Sequence, residues 1–371
     1  MRVIQKFTFL FCLWIFGYAG AEPTHLFVLH NLGETNAMIP VMEKLPEDSY
    51  QILAFGKAWE KLKEHPCTLK ELPHDIAVED TLSPQTLTKV KTAANPKVLI
   101  SGMASKVQAE VVNAYDAKKI FYYDNFDPLY TKNGIKEYLE NFYGALKKGP
   151  YTLMVPGASH VSSARQLDKF KDTNIMALGQ PSLESWEKIY AETDVKNLRM
   201  QLKIQDAQKV ILYAGGFDPK DKDQYVEDLR AFIQAAASME NAVVLVTYHP
   251  KTDGSTEKAV VAEFNAPHIR IVPKGTHSTA VLSTLADVLV CFKSTVGAQA
   301  AYMGKPVLYI ARNYENFLIN AGVAGIATTS ENIMKALKAL LSGSSDKKSF
   351  SEVLGIPKNA SQKIADYLKT V

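Results

Sequence analysis

The sequence predicts an α/β protein made of two doubly wound parallel-sheet domains that face each other across a cleft. Short apolar runs alternate with longer amphipathic stretches, which is the pattern of parallel strands joined by crossover helices. The alternation occurs in two halves of comparable size. With 371 residues, 47% of them apolar, the chain is long enough to fill two separate cores.

Apolar, β-branched runs predict the strands of each half. In the first half they are HLFVLH (25–30), YQILAF (50–55), KVLIS (97–101), KKIFYY (118–123), YTLMV (151–155) and NIMALG (174–179). In the second half they are KVILYAG (209–215), AVVLVTY (242–248), IRIVP (269–273), DVLVCF (287–292) and PVLYIA (306–311). A helical stretch from about Ser182 to Leu202 separates the halves, so we place an N-terminal domain at 22–190 and a C-terminal domain at 191–371.

The first 21 residues have the composition of a signal peptide. Basic Arg2 and Lys6 precede an apolar run over 7–16, and small residues lead to a cleavage site after Ala21. We therefore expect an exported protein, periplasmic or secreted, with no membrane span once the leader is cut. The alternative is an uncleaved anchor, but a spanning helix needs about 20 apolar residues and this run is shorter.

Charge and cysteine content exclude several functional classes. Loss of Arg2 and Lys6 from the 42 basic residues leaves only one more basic than the 39 acidic residues, so no electrostatic bias toward nucleic acid is expected. Cys12 lies in the leader, and the two remaining cysteines cannot form a disulfide scaffold. The histidines are scattered without metal-ligand spacing, so we predict no metal site.

Ligands of open parallel sheets bind beyond the carboxyl ends of the strands, so residues that follow the strands are the candidates. In the first domain, Gly33 follows the first strand, and we expect Thr35 or Asn36 to cap the next helix. An ordinary βα turn explains this glycine equally well. Asp124 in DNFDP follows the fourth strand and is a candidate general base, although Asp, Asn and Pro also form turns without a ligand.

The second domain offers more polar residues at its strand ends. Gly215 and Gly216 follow the first strand directly, which lets a ligand approach the backbone or supports a loop with positive φ. His249 follows the next strand and can contact phosphate or act as an acid or base. Three further candidates, Lys293, Ser294 and Thr295, precede a helix that begins near Val296 and that we expect to direct free amides at an anion. The small residues Ala298, Ala300 and Ala301 let this helix lie close to the sheet and leave Gln299 near its first turn.

These segments resemble the two-Rossmann-domain glycosyltransferases of the GT-B fold, including nucleotide-sugar 2-epimerases and sialyltransferase-like enzymes with a His-Pro motif. The resemblance rests on YAGGFDP, TYHPKTD and LADVLVCFKSTVGAQAAYMGKPVLYI, with a terminal helix, SQKIADYLKT, that crosses back to the first domain in the family. It implies a nucleotide-sugar substrate and no cofactor.

The resemblance also assigns roles to the candidate residues. It implies that Asp124 and His249 are catalytic, and that the acceptor, a carbohydrate or another hydroxyl compound, lies near Gly33 and Glu34. The nucleotide would contact a set of second-domain residues: Gly215, Gly216, Lys293, Ser294, Thr295 and Gln299. Gly216 stands where the epimerases have a histidine, so epimerisation is not expected. Gln299 replaces the glutamate that commonly binds the donor ribose.

Two alternatives remain open from the sequence. A predicted leader conflicts with the cytosolic supply of nucleotide sugars, so the chain is alternatively a secreted two-domain ligand-binding protein or an inactive glycosyltransferase homologue. Solute-binding proteins also close two α/β lobes around a ligand. A hydrolase is disfavoured because the sequence has no G-x-S-x-G, H-E-x-x-H or P-loop motif.

Overall fold

The computed structural model describes residues 24–127, 129, 135–216, 222–249, 252–343 and 348–371. The predicted signal peptide, 1–21, lies outside these residues, as does the Pro250 of the His-Pro motif, so both stay sequence-based predictions. Within the described residues, twelve strands form two six-stranded sheets in which all paired strands are parallel. The predicted α/β class is confirmed.

The first sheet has the strand order β2-β1-β3-β4-β5-β6. Its strands are β1 His25–Leu29, β2 Tyr50–Ala54, β3 Val98–Ser101, β4 Lys118–Tyr122, β5 Tyr151–Val155 and β6 Asn174–Ala177. In this order β2 lies on one side of β1, and β3 to β6 follow on the other side. The helices that follow the neighbouring strands β1 and β3 therefore pack on opposite faces of the sheet. That reversal between β1 and β3 is the switch point at which doubly wound sheets bind ligands.

The second sheet has the order β12-β11-β10-β7-β8-β9. Its strands are β7 Lys209–Ala214, β8 Ala242–Val246, β9 Ile269–Ile271, β10 Val288–Cys291, β11 Val307–Tyr309 and β12 Gly325–Ile326. Counted from β7, this is the 3-2-1-4-5-6 order of dinucleotide-binding domains, with its switch point between β7 and β10. The two-residue edge strand β12 was not predicted, because a pair of residues leaves no apolar run.

Helices cover both faces of each sheet. Those of the first half are α1 Leu32–Met42, α2 Gly56–Leu62, α3 Pro84–Ala93, α4 Lys106–Ala114, α5 Ile135–Ala145 and α6 Ala158–Ala164. Those that follow are α7 Ser182–Glu192, α8 Val195–Gln201, α9 Lys222–Ala237, α10 Ser255–Ala262, α11 Thr279–Leu285, α12 Val296–Tyr302, α13 Phe317–Asn320, α14 Ser330–Leu341, α15 Phe350–Leu354 and α16 Ala360–Lys369.

The helical stretch between the sheets is two helices rather than one. Helix α7 ends near Thr193, and the side chain of Asp194 caps α8 by accepting the amide of Asn197 at 3.0 Å. Leu183 and Trp186 of α7 pack in the apolar cluster of the second sheet. Helix α7 spans the predicted domain boundary after residue 190, and that boundary stays a prediction.

The last helix returns to the first sheet. Ile364, Ala365 and Leu368 of α16 are fully buried in the same cluster as Phe27 and Leu29 of β1. The carbonyl of Leu368 also lies 3.0 Å from Nε2 of His25. The chain therefore closes its first core with its final residues.

Candidate active site

The switch point of the second sheet brings together residues that are about 80 positions apart in the chain. Ala214 at the end of β7 is in register with Cys291 at the end of β10. Gly215 therefore leaves the sheet beside the segment that carries Lys293, Ser294 and Thr295. The predicted nucleotide-contacting residues of these two segments share one edge, at the position where such sheets bind nucleotides.

The two glycines at this edge are explained first by packing within the chain. A Cβ atom on Gly215 would lie 2.4 Å from Cα of Tyr248 and 3.0 Å from the amide nitrogen of His249. Gly215 thus lets the segment after β8 approach, and it places His249 beside the same edge. A loop with positive φ was one of the predicted alternatives, and it is wrong, since neither Gly215 nor Gly216 has positive φ.

The amide of Gly216 is already engaged by a buried polar pair behind the edge. Its backbone hydrogen-bonds to the hydroxyl of Tyr225, and that hydroxyl donates to the carboxyl group of Glu257. Burial raises the pKa of Glu257. The pair holds the turn after β7 in place, which leaves less of the Gly216 backbone open to a ligand than we expected.

Helix α12 begins at Val296 as predicted, but part of its first turn is satisfied internally. The hydroxyl of Ser294 accepts the amide of Val296 at 3.2 Å, and the carbonyl of Ser294 accepts the amide of Gly297. The expectation of a fully open helix N-terminus is therefore wrong for these two amides. Thr295 is exposed, and its side chain makes no capping hydrogen bond to the helix.

The small residues of α12 let the helix lie on the sheet, as predicted. A Cβ atom on Gly297 would lie 2.3 Å from the hydroxyl oxygen of Tyr309, and a group of three alanines is buried: Ala298, Ala300 and Ala301. Lys293 lies with its ammonium nitrogen 5.1 Å from the ring centre of Phe292. Gln299 lines a cavity of about 630 Å³ that α12 shares with α1, α7 and α16.

A second cavity, of about 460 Å³, lies at the same edge of the second sheet and is lined in part by the two residues before His249. Thr247 and Tyr248 form one wall, and the loop from Val272 to Thr279 forms the other. This loop was not among the predicted site segments, and His277 is one of the scattered histidines. The signal was available, because Pro273 follows β9 and all parallel strands of one sheet end at the same edge.

At the switch point of the first sheet, the cap of α1 differs from the prediction. Asn31, rather than Thr35 or Asn36, caps the helix by accepting the amides of Gly33 and Glu34. Gly33 therefore lies inside the first helical turn. A Cβ atom there would lie only 2.0 Å from Oδ2 of Asp124, so this glycine makes room for the predicted base.

Glu34 is the second carboxyl group at this edge and is fully buried. Its Oε1 accepts hydrogen bonds from the amides of His30 and Asn31 and from Nε2 of Gln108, the last at 2.8 Å. Burial, reinforced by the nearby charge of Asp124, raises the pKa of Glu34 to about 8. At neutral pH the group is therefore mostly protonated.

Asp124 itself is held through its backbone. Its carbonyl accepts from Nε2 of Gln180, whose Oε1 accepts the hydroxyl proton of Tyr122. Gln180 follows β6 and ties the ends of β4 and β6 together. Gln180 was not among the predicted site residues, although its position after a strand is a signal that could have identified it.

The segment after Asp124 contacts the second domain through a hydrogen bond. Oδ1 of Asp127 accepts the amide of Phe317 at 2.9 Å, which joins this segment to the first residue of α13. Burial raises the pKa of Asp127, and the Phe317 amide opposes that shift. We assign no catalytic role to His160, because its Nε2 hydrogen-bonds to the carbonyl of Phe126 and burial lowers its pKa to about 4.

Within the described ranges, no helix is long and apolar enough to cross a membrane. The same residues contain no cluster of three or more His, Cys, Asp or Glu side chains that could hold a metal ion.

Comparison with known proteins identifies the family. The model of the CDP-glycerol:poly(glycerophosphate) glycerophosphotransferase family matches residues 152–346, more than half of the chain. The chain belongs to this family. The match includes β7 to β11 and every predicted nucleotide-contacting residue, and it indicates a glycosyltransferase-like function, as the sequence predicted. A search of curated proteins found no match.

Solved structures of similar fold are GT-B-like enzymes. UDP-GlcNAc 2-epimerase from Neisseria meningitidis, bound to UDP-GlcNAc, is 12% identical with a TM-score of 0.66, covering 94% of this chain and 100% of that one. The epimerase from Methanocaldococcus jannaschii is 14% identical with a TM-score of 0.65, at 94% and 99% coverage. The wall teichoic acid polymerase TagF is 12% identical with a TM-score of 0.56, at 95% and 90% coverage. The predicted GT-B fold is confirmed.

Proposed function

We propose that the protein transfers glycerophosphate from a CDP-glycerol donor to a hydroxyl group of a polyol-phosphate acceptor. The observation that carries the proposal is the shared edge at the β7–β10 switch point, where Lys293, Ser294 and Thr295 lie beside Gly215. This edge lies inside the segment that matches the family model, and the description of that family names CDP-glycerol. The nucleotide-sugar donor predicted from the sequence is the second candidate, supported by the UDP-GlcNAc bound to a protein of similar fold.

The residues of the second edge suit the donor's diphosphate. The Lys293 ammonium supplies positive charge, and the exposed Thr295 hydroxyl is a donor that its own helix does not use. The proposal puts the nucleoside in the neighbouring cavity of about 460 Å³ beside His249. There the imidazole can donate to a phosphate oxygen as negative charge develops on it.

The residues of the first edge suit the acceptor. Asp124 takes the proton of the acceptor hydroxyl, and the oxygen forms a bond to the phosphorus that carries glycerol. The bond from that phosphorus to the bridging oxygen breaks, and CMP leaves with the electron pair. Lys293 and His249 stabilise the charge on the departing phosphate, so positioning and electrostatics provide most of the catalysis.

The test is a transfer assay with purified protein, CDP-glycerol and a glycerol-phosphate oligomer, followed by ³¹P NMR. New phosphodiester together with CMP supports the proposal. UDP release from UDP-GlcNAc, with no reaction of CDP-glycerol, replaces the donor with a nucleotide sugar. Ligand-induced stabilisation without turnover of either donor would favour the binding protein or inactive homologue instead.

We also propose that the protein acts after export, because residues 1–21 have the composition of a cleavable leader. N-terminal sequencing of the protein isolated from its native cell tests this. A mature chain that begins at Glu22 outside the cytoplasm supports export, and an intact Met1 in the cytoplasm contradicts it.

A further inference from the structure

The buried carboxyl group of Glu34 is only half explained by the helix it begins. In a capping box, one oxygen of the third helical residue accepts the amide of the capping residue. Oε1 performs that task, and it also accepts the amide of His30 and the side chain of Gln108. Oε2 is buried and has no hydrogen-bond partner, so capping does not account for it.

The free oxygen lies at the switch point rather than inside an apolar core. A Cβ atom on Gly102, the residue after β3, would lie 1.7 Å from Oε2. Oδ2 of Asp124 occupies the equivalent space above Gly33. Two carboxyl groups therefore lie at the ends of β1, β3 and β4, each in space that a side chain at Gly33 or Gly102 would fill.

Asp124 is the charged group that acts on Glu34 from the described elements around it. Helix α4 contributes the neutral amide of Gln108, and the segment after β1 contributes backbone amides. The ring of His30 points elsewhere, since its Nε2 bonds the carbonyl of Ile76 and its Cε1 lies near Gly56. Oε2 of Glu34 has no hydrogen-bond partner, so a negative charge on Glu34 beside the charge of Asp124 is costly in this buried site.

We propose that Glu34 is a positioning residue that keeps its own proton, so that the neighbouring Asp124 is the one ionised carboxylate available to accept the acceptor's proton. The division follows from the environments of the two groups, because Glu34 is fully buried and Asp124 is only partly buried. The proposal rests on the role of Asp124 in the proposed function. Glu34 forms no bond to the acceptor and remains an acid throughout the transfer.

Glu34→Gln is the matched variant, because a glutamine amide imitates a protonated carboxyl group and keeps the Oε1 contacts. Between pH 7 and pH 9 the kcat/KM of the wild type should fall about tenfold as Glu34 ionises, while that of the variant falls less than about threefold. Identical pH profiles would overturn the proposal.

A stability measurement separates this proposal from the assignment of the reaction. The pKa of Glu34 rises from 4.5 to about 8 on folding, so the folded protein holds a proton that the unfolded chain has lost between those values. The wild type therefore loses stability as pH rises through this window, and Glu34→Gln does not. We expect the Tm of the variant to gain on the order of 5 °C over the wild type between pH 5 and pH 8.5.

The control is Glu60→Gln, which removes an exposed carboxyl group and should leave the Tm difference constant with pH. A constant difference for Glu34→Gln as well would overturn the proposal even if transfer is observed. A growing difference would support it even if CDP-glycerol is the wrong donor. Should the variant not fold, the infrared carbonyl bands of protonated carboxyl groups in the wild type are followed with pH. Loss of one such band between pH 7 and pH 9 supports the proposal, and the absence of any such band at pH 7 overturns it.

Discussion

Each of the two sheets has a switch point, and the side chains at the two switch points have opposite chemistry. At the first, two carboxyl groups, Glu34 and Asp124, reach over glycines. At the second, the ammonium group of Lys293, the exposed hydroxyl of Thr295 and the imidazole of His249 lie beside Gly215. This glycine leaves room for the backbone of the segment after β8. The fold thus supplies two equivalent positions, and the side chains alone decide that one suits a hydroxyl to be deprotonated and the other suits a phosphate.

The largest expected effect is on the first edge. Asp124→Asn should lower the transfer rate by about 10³-fold, since a general base contributes about 10² to 10⁴-fold. Affinity for CDP-glycerol should stay within about threefold of the wild type, because the donor is assigned to the other edge. Isothermal titration together with initial rates measures both.

Asp116→Asn is the control for that variant, because Asp116 is an exposed carboxylate that precedes the same strand. It should leave both quantities unchanged. A matching loss of donor affinity in Asp124→Asn would remove the division of labour between the two edges.

Alanine substitutions at Gly33 and Gly215 test the difference between the two switch points. At Gly33 the new Cβ meets the end of the Asp124 side chain, which can rotate, whereas at Gly215 it meets backbone of the segment after β8. Gly33→Ala should reduce transfer about 10²-fold by moving the base, with Tm within about 2 °C of the wild type. Gly215→Ala should destabilise the fold by about 2 kcal/mol or more.

Thermal unfolding and initial rates on both glycine variants provide the check. If Gly33→Ala unfolds the protein while Gly215→Ala is tolerated, the contacts described for the two edges are wrong.

A smaller effect is expected for the lysine of the second edge. Lys293→Ala should weaken CDP-glycerol binding by about tenfold to thirtyfold, which corresponds to the loss of one hydrogen bond to a charged group. Lys335→Ala removes an exposed lysine of α14 and is the matched control. Titration of both variants at the same ionic strength distinguishes a local contact from a change of net charge; equal weakening in both would argue against a phosphate site at Lys293.

The smallest effect is expected for the hydrogen bond between Asp127, in the segment after β4, and the first residue of α13. Asp127→Ala removes the acceptor of the Phe317 amide and should cost about 1 kcal/mol of stability. Urea unfolding measures this, with Asp116→Ala as the exposed comparison. An unchanged midpoint would mean that the contact between Asp127 and α13 does not hold the two halves together.

The strands were predictable from sequence because each is a nearly continuous apolar run, as expected for parallel strands buried on both faces. The candidate site was predictable as a set of strand ends, which is why Asp124, His249 and Lys293 could be named. Their mutual arrangement was not, since it depends on which strands are neighbours. The contact of Gly33 with Asp124 needs β3 to lie between β1 and β4.

Finer features escaped the sequence analysis for local reasons. Asn31, Thr35 and Asn36 are all acceptable caps by residue type, and the choice of Asn31 follows from where β1 ends. Glu34 carries no sign of burial in the polar string NLGETN, because its burial is set by Gly102 and Gln108 elsewhere in the chain. The loop from Val272 to Thr279 lacks a recognisable motif and became relevant only through its place at the edge.

The return of α16 to the first sheet sets the order in which this protein can mature. The contact between His25 and Leu368 joins residues near the two limits of the described chain. Until α16 is available, the apolar cluster that includes Phe27 and Leu29 lacks Ile364, Ala365 and Leu368 and is only partly covered. The first domain is therefore the earlier to be synthesised and the later to be completed, and its unfinished surface is a natural binding site for a chaperone during that interval.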